Sequence, residues 1–180
     1  MTSTRTLAGL RAGGMRTDRS SSAIRLLWTA PLAFACQLLV IHLLDGAALR
    51  VALPLSHLLL LPFLLANSRL LGVRLIALGL ALNLLAITAN GGLMPVEQSA
   101  VDAVGKHTNV ELTAGQHIPG SKNILLERDS IHLRPLSDVI LLPVPQPFTR
   151  AVSAGDLAIV AGVVAVLTTL VLSHRPEPHP

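Results

Sequence analysis

Four long apolar blocks constrain this 180-residue chain more than any other feature of its sequence. They cover residues 26–44, 47–66, 70–89 and 151–173, and their only charged residues are Arg50, Arg74 and Asp156. A helix needs about 20 mostly apolar residues to cross roughly 30 Å of hydrocarbon. Buried helices of water-soluble proteins are shorter and keep a polar stripe. The sequence therefore predicts an all-α integral membrane protein with four transmembrane helices.

The first block contains the triplet Ala33-Phe34-Ala35, which has the pattern of a signal-peptide cleavage site. A cleaved signal has only about 7 to 15 apolar residues and ends at such a site. Here residues 37–41 continue the apolar run, so we expect the helix to be retained. Cys36 is the only cysteine, which excludes an intrachain disulfide.

The distribution of charge predicts the orientation of the chain. The arm of residues 1–25 has five arginines and one acidic residue, and cytoplasmic segments of membrane proteins are rich in basic residues. Alternation then puts residues 90–150 outside the cell and the tail of residues 174–180 inside. The inner segments have eight basic and two acidic residues, net +6, and the outer ones have six and eight, net −2. We expect a bacterial cytoplasmic (inner) membrane protein with both termini cytoplasmic.

The net charge of +4 by itself favours binding to nucleic acid. However, no aromatic residues alternate with the arginines of the arm, as stacking on single strands requires, and topology alone accounts for those arginines. The expected partners are the lipid bilayer and another membrane protein, and nucleic acid is not among them.

The outer segment, residues 90–150, is flanked by clear helix ends. Asn90, Gly91 and Gly92 predict a C-terminal cap for the third span. Ser153 and Asp156 have the spacing of a capping box, so Asp156 is interpreted first as a helix-starting residue and second as a ligand.

Within the outer segment, residues 123–127 and 131–133 flank a turn-like stretch and predict a small β-hairpin. Residues 136–142 are apolar but too few to span a membrane, so we expect them on the interface or against the helix ends. The tail of residues 174–180 is expected to be disordered.

Five motifs of the chain resemble domain-of-unknown-function family 5317, which consists of small bacterial multi-pass membrane proteins. The motifs are Ala66-Asn67-Ser68-Arg69, residues 75–85, residues 89–96, residues 136–140 and residues 152–156. The most specific is Asn90-Gly91-Gly92-Leu93-Met94-Pro95. The resemblance extends from about Leu7 onward, and it implies architecture alone because the family has no established activity.

One difference from that family concerns the beginning of the chain. Its members open with an additional apolar helix before a Gly-Gly-Arg-like turn, comparable with residues 11–16 here. Only the ten residues Met1 to Leu10 precede this turn, and ten residues of mixed polarity are too few for a membrane-spanning helix. Either the start is assigned late or this member lacks that helix, and the four-span prediction applies to the chain as given.

Polar side chains at membrane depth are the first candidates for function, because an unpaired polar group is costly there. The candidates on this ground are His42, Asp45, His57 and Asn83, with Gln37 beside them, and three further candidate polar residues are Asn90 and Asp138 in the outer segment and Asp156 at the start of the fourth span. His42 and Asp45 lie three residues apart on one helix face, which fits either a proton-relay pair or an ordinary interfacial helix end. We expect His57 to donate to a carbonyl freed by a proline and Asn83 to bond across helices.

The outer segment shows no signature of an enzyme. Its metal-ligand residues His107, Glu111, His117 and His132 fit no zinc spacing, and Ser130 lacks the setting of a nucleophile elbow. The sequence predicts no catalytic residues, no cofactor and no metal.

Three functions stay open at this stage. The first is a structural or interaction subunit whose outer loop contacts a partner. The second is a small transporter or channel component that uses polar residues of the spans, His57 and Asn83. An enzyme that uses outer-loop His and Asp residues is third.

Overall fold

The structure is a computed structural model that describes residues 24–104, 113–142, 144 and 150–173. Predictions about most of the basic arm, about the tail of residues 174–180 and about His107 and Glu111 lie outside these residues.

The described part of the chain is mainly helical. Its helices are α1 (Thr29–Leu43), α2 (Gly46–His57), α3 (Leu61–Ala66), α4 (Leu71–Ala89), α5 (Gln98–Val104) and α6 (Ala154–Ser173). A 3-10 turn, Leu58–Leu60, joins α2 to α3, so that Gly46–Ala66 is one helical segment of 21 residues. Three helices are long and apolar enough to cross a membrane: Gly46–Ala66, Leu71–Ala89 and Ala154–Leu172.

The first apolar block forms a shorter helix than we predicted. Its helix α1 has 15 residues and begins at Thr29 rather than at residue 26. Leu26 has a positive φ of 53° and therefore cannot join the helix. The hydroxyl of Thr29 donates to the Leu26 carbonyl at 2.7 Å, which closes the turn that comes before α1.

Antiparallel helices α4 and α6 pack backbone to backbone through glycines. Gly72 faces Gly162 and Gly79 faces Gly155, and each pair of glycines on one helix is seven residues apart. A Cβ atom added at Gly72 would lie 2.6 Å from the Gly162 carbonyl oxygen, so no larger residue fits without moving the helices. Small residues of this kind allow membrane helices to approach closely and gain van der Waals contact.

The described residues between α4 and α6 form a compact layer on the helix ends. We call residues 90–104, 113–142 and 150–152 the outer cap. Strand β1 (Met94–Glu97) pairs in parallel with β2 (Asn123–Leu126), with Met94 opposite Asn123. Two short strands, β3 (Ile140–Leu141) and β4 (Ala151–Val152), pair antiparallel just before α6.

The predicted hairpin of residues 123–127 with residues 131–133 does not form. Strand β2 pairs instead with β1 on one side, and on its other side it bonds to residues 115–118, with an antiparallel bridge between His117 and Ile124. Residues 128–130 form a 3-10 turn that leads the chain away from β2. Val96 of β1 also bridges to Asp138, so β1 is paired on both sides.

A buried apolar cluster joins the outer cap to the helices. Leu49 and Leu53 of α2 and Ile87 of α4 pack beneath Met94 and Ile124 of the cap, and the first four are 0% exposed. Burial of large apolar side chains is the main favourable term of folding outside the lipid. The cap therefore packs directly against the ends of the helices.

Candidate functional site

Six polar side chains meet where the outer cap rests on α4 and α6, and we call them the Lys122 cluster. They are Asn83 on α4, Lys122 and Asn123 at the start of β2, Asp138 beside β1, and Ser153 and Asp156 at the start of α6. Three of these residues, Asn83, Asp138 and Asp156, are candidates from the sequence.

Lys122 lies between the two carboxylates of the cluster. Its Nζ donates to Asp156 Oδ2 at 3.2 Å and lies 3.5 Å from Asp138 Oδ2. The side chains of Lys122 and Asp156 are 27% exposed, whereas that of Asp138 is 4% exposed. An ion pair that is partly removed from water interacts more strongly than one on an open surface. Lys122 thereby ties the outer cap to α6.

Asn83 connects α4 to the first turn of α6. Its Nδ2 donates to Asp156 Oδ1 at 2.7 Å, and its Oδ1 accepts from the Ser153 hydroxyl at 2.7 Å. The cross-helix hydrogen bond expected for Asn83 is thus confirmed. Asn83 is buried, with 4% exposure, so both of these hydrogen bonds are shielded from solvent.

Ser153 and Asp156 form the predicted capping box. The Asp156 amide donates to the Ser153 hydroxyl at 2.9 Å, and the Ser153 amide donates to Asp156 Oδ2 at 3.3 Å. Helix α6 therefore begins at Ala154, directly after Ser153, as the capping box predicts, and residues 151–153 of the fourth apolar block lie outside the helix. Asp156 serves as a helix cap and as an ion-pair partner at the same time.

Asp138 is the most enclosed charged group of the cluster. Its backbone amide donates to the Pro95 carbonyl at 3.1 Å, which fixes its position beside β1. Its Oδ2 accepts from Asn123 Nδ2 at 2.8 Å. Burial raises the pKa of the Asp138 carboxyl, although Lys122 and Asn123 act in the opposite direction.

A second ion pair holds the outer face of the cap together. Glu97 at the end of β1 accepts two hydrogen bonds from Arg134, at 2.7 Å from Nε and 3.0 Å from Nη2. Arg128 lies 3.9 Å from the same carboxylate, with 72% of its side chain exposed. The Arg134 guanidinium holds the pKa of Glu97 below its ordinary value. These two parallel hydrogen bonds hold the end of β1 against the 3-10 turn at Arg134–Leu136.

Asn90 fastens the cap to the end of α4. Its Nδ2 donates to the Ala86 carbonyl at 2.7 Å and to the His132 carbonyl at 2.8 Å, and its Oδ1 accepts the His132 amide at 2.9 Å. The glycines that follow have φ of 73° and 91°, as the predicted C-terminal cap requires. Gly92 lies directly against the carbonyl of Arg50, whose usual helical donor is replaced by Pro54.

His57 lies deeper, on the buried side of α2. Its Nδ1 donates to the Leu53 carbonyl at 2.9 Å, which leaves Nε2 to accept from Gln37 Nε2 at 3.2 Å. The predicted contact with a carbonyl is therefore present, but this carbonyl precedes Pro54 and is not the one that the proline deprives of a donor. The Gln37–His57 contact joins α1 to α2.

His42 and Asp45 do not form a hydrogen-bonded pair among the contacts of the described residues. The ring Nδ1 of His42 lies 2.8 Å from the carbonyl of Leu38 on its own helix. Both side chains are exposed at the junction of α1 and α2. Of the two interpretations of these residues, this arrangement fits the ordinary helix end and not the proton-relay pair.

Sequence reasoning missed the residues that connect distant parts of the chain. Lys122 and the pair Glu97–Arg134 carry no local pattern that marks them. The glycines at 72, 79, 155 and 162 did have a signal, because their seven-residue spacing recurs in both helices and predicts a close contact.

The polar groups of the Lys122 cluster bond mainly to one another. Within residues 24–104, 113–142 and 150–173, the His, Cys, Asp and Glu side chains do not gather in groups of three or more that would suit a metal ion. Lys122, Asn83 and Asn123 bond to three of the four carboxylate oxygens of the Lys122 cluster. The site therefore consists of a fixed set of polar contacts that hold the cap, and it includes one carboxyl group of raised pKa, Asp138.

Comparison with known proteins gives one match. The model of a family of unknown function, DUF5317, matches residues 21–168, which confirms the resemblance found in the sequence. No curated protein and no solved structure matches the chain.

Proposed function

The chain belongs to the family of unknown function DUF5317, and we propose that it is a non-catalytic membrane subunit whose outer cap binds a partner membrane protein. In this proposal the protein lies in the bacterial cytoplasmic membrane with four spans. Both termini are in the cytoplasm, and the outer cap is on the outer side of the membrane.

Four spans require α1 to cross the membrane together with the three longer helices. Fifteen helical residues extend about 22 Å, and the apolar residues Leu26, Leu27 and Trp28 precede them. Trp28 is 64% exposed, which suits an aromatic anchor at the membrane–water interface. The hydrogen bond between Gln37 and His57 supports a position of α1 beside α2 at membrane depth.

The observation that most supports a binding function is the fixed position of the outer cap. Lys122 ties it to α6, Asn90 ties it to α4, and Arg134 ties its parts to each other. A segment that is ordered before binding loses little conformational entropy when a partner binds. A cap needed only as a connection between two spans would not require these buried polar contacts.

The cap also exposes apolar side chains for such a partner. Leu133 is 47% exposed, Ile140 36% and Leu141 42%. Leu133 also has a positive φ of 54°, which is unusual for leucine. Apolar side chains form the core of protein interfaces.

Photocrosslinking in intact membranes tests this function. A photoreactive amino acid at Leu133 or Leu141 should crosslink to one defined membrane protein, whereas the same probe at Val164, on the exposed side of α6, should not. Leu141→Asp should abolish co-purification of that partner in mild detergent, with Asp129→Asn as a control on the same cap. A monomer that purifies alone and gives no crosslink from either cap position would contradict the proposal.

A second candidate, a small transporter or channel component, has one observation in its favour. His57 and Gln37 place neutral polar groups between α1 and α2 at membrane depth, where polar side chains commonly belong to ion or substrate pathways. Ion flux in proteoliposomes that is abolished by His57→Leu, but not by His42→Leu, would support this function.

A further inference from the structure

One oxygen of the Asp138 carboxyl group has polar partners, and the other has none among the described residues. Oδ2 accepts from Asn123 and faces Lys122. Oδ1 is fully buried and has no hydrogen-bond partner among the residues that the structure describes. Asp138 as a whole is 3% exposed. An ionised carboxylate in such surroundings keeps part of its charge on an oxygen that is shielded from bulk solvent and has no donor among the described residues.

One ammonium group cannot neutralise two carboxylates. The charged groups that face Asp138 are Lys122 from the loop before β2 and Asp156 from α6, and Asn123 of β2 is the neutral donor. β1 contributes the backbone carbonyl of Pro95, and its one charged residue, Glu97, pairs with Arg134. Lys122 lies nearer to Asp156, at 3.2 Å, than to Asp138, at 3.5 Å. The enclosed carboxylate is therefore the one with the weaker counter-charge.

We propose that Asp138 is a proton-binding site of the outer cap, with the proton on Oδ1. Uptake of a proton from water makes the Asp138 carboxyl neutral and leaves Lys122 paired with Asp156 alone. Release of that proton to water restores the charge, and Asp138 then competes with Asp156 for the same ammonium group. Burial of the carboxyl favours the protonated form.

Protonation of Asp138 would thereby control how firmly the outer cap is attached to α6. Lys122 provides the ion pair between the cap and the first turn of α6. When Asp138 is neutral, nothing draws Lys122 away from Asp156. When Asp138 is ionised, the shared ammonium weakens this attachment. The proposal does not depend on the partner-binding function, because it concerns groups inside the molecule.

Infrared spectroscopy of the full chain in lipid nanodiscs tests the proposal, since a protonated carboxyl absorbs apart from a carboxylate. As pH rises, wild-type protein should lose one protonated-carboxyl band with a midpoint above the ordinary aspartate and glutamate values of about 3.9 and 4.3. Asp138→Asn should lack this band. Asp129→Asn, which removes an exposed aspartate of the same cap, should retain it. A spectrum in which no carboxyl titrates above those ordinary values, or a band that survives in Asp138→Asn, would overturn the proposal.

Substitution of Lys122 provides a test that does not require Asp138→Asn to fold. Lys122→Met removes the cation beside Asp138 and should move the midpoint of the band to higher pH, whereas Lys122→Arg should move it less. A band whose midpoint is the same in the wild type and in Lys122→Met does not belong to Asp138, and that result would equally overturn the proposal.

Discussion

Asn67 and Asn90 bind distant backbone in the same way at the two ends of α4. Asn67 donates to the Arg25 carbonyl and accepts the Arg25 amide, both at 2.7 Å. Asn90 makes the same two bonds to His132, at 2.8 Å and 2.9 Å. The 19 residues of α4 between them extend about 28 Å, close to the hydrocarbon thickness of a bilayer. The two asparagines therefore fasten the neighbouring chain at opposite ends of a helix that is long enough to cross a bilayer.

Each fastened residue is followed by a leucine in the left-handed region. Leu26 follows Arg25 with φ of 53°, and Leu133 follows His132 with φ of 54°. Left-handed backbone is unfavourable for leucine. Because the asparagine fixes the preceding peptide group, it helps to maintain this conformation. Both leucines are more than 40% exposed, at 42% and 47%.

We expect Asn90→Ala to destabilise the protein by about 1–3 kcal/mol, because the backbone amide and carbonyl of His132 and the buried Ala86 carbonyl lose a hydrogen-bond partner. Asn67→Ala should have an effect of similar size at the inner end. Denaturant unfolding in detergent measures both. Thr88→Ala, which removes an exposed hydroxyl from α4, is the matched control, and equal stability of Asn90→Ala and Thr88→Ala would show that this contact contributes nothing.

The glycine contact between α4 and α6 predicts a strong effect of one methyl group. Gly79→Ala places a Cβ against the backbone of Gly155, and overpacking of this kind costs about 1–3 kcal/mol. Ala81→Val, which adds volume on the exposed side of the same helix, should leave the melting temperature nearly unchanged. A Gly79→Ala variant as stable as the wild type would contradict the close packing of the two helices.

The ion pair of Glu97 predicts a loss of stability in acid. Its pKa is lowered by Arg134, so this pairing stabilises the fold above the ordinary glutamate pKa of about 4.3 and the stabilisation is lost as pH falls through the folded-state pKa. Glu97→Gln should remove this part of the pH dependence, as measured by melting temperature between pH 3 and pH 7. Glu127→Gln, at an exposed position of the cap, should not.

For Asp138 we expect the opposite dependence of stability on pH. Its pKa is raised by burial, so the folded state binds its proton more tightly than the unfolded chain does. Stability from this group is complete below the ordinary aspartate pKa of about 3.9 and declines as pH rises toward the raised folded-state pKa. Asp138→Asn should therefore make the protein relatively more stable at neutral pH than in acid. The same melting series, compared with the wild type, measures this difference.

The proposed threading predicts the accessibility of single cysteines. In a Cys36→Ala background, a cysteine at Ser99 on the outer cap should react with a membrane-impermeant maleimide added to whole cells. Cysteines at Ser20 and at Ser68, in the turn before α4, should react only after the membrane is opened. Labelling of Ser99 and Ser68 from the same side would refute the four-span orientation.

Features that depend on near neighbours in the chain were predictable. The Asn90-Gly91-Gly92 end of α4 and the Ser153–Asp156 start of α6 use hydrogen bonds over three to five residues, so their residue types alone indicate them. The hairpin prediction was wrong because a short strand can pair with any exposed edge. Strand β2 pairs with β1, which lies about thirty residues earlier in the chain and is held in place by the end of α4.

The sequence by itself determined that this chain consists of apolar helices of membrane length, because the length and charge of each block decide that locally. Only the tertiary structure decided which polar groups meet. Lys122 and Asp156 are 34 residues apart in the chain, and Asn90 and His132 are 42 apart. Contacts over such separations leave no local sequence pattern, because they depend on how the ends of the packed helices position the cap. The burial of Asp138, and with it the proposed proton site, follows from that packing.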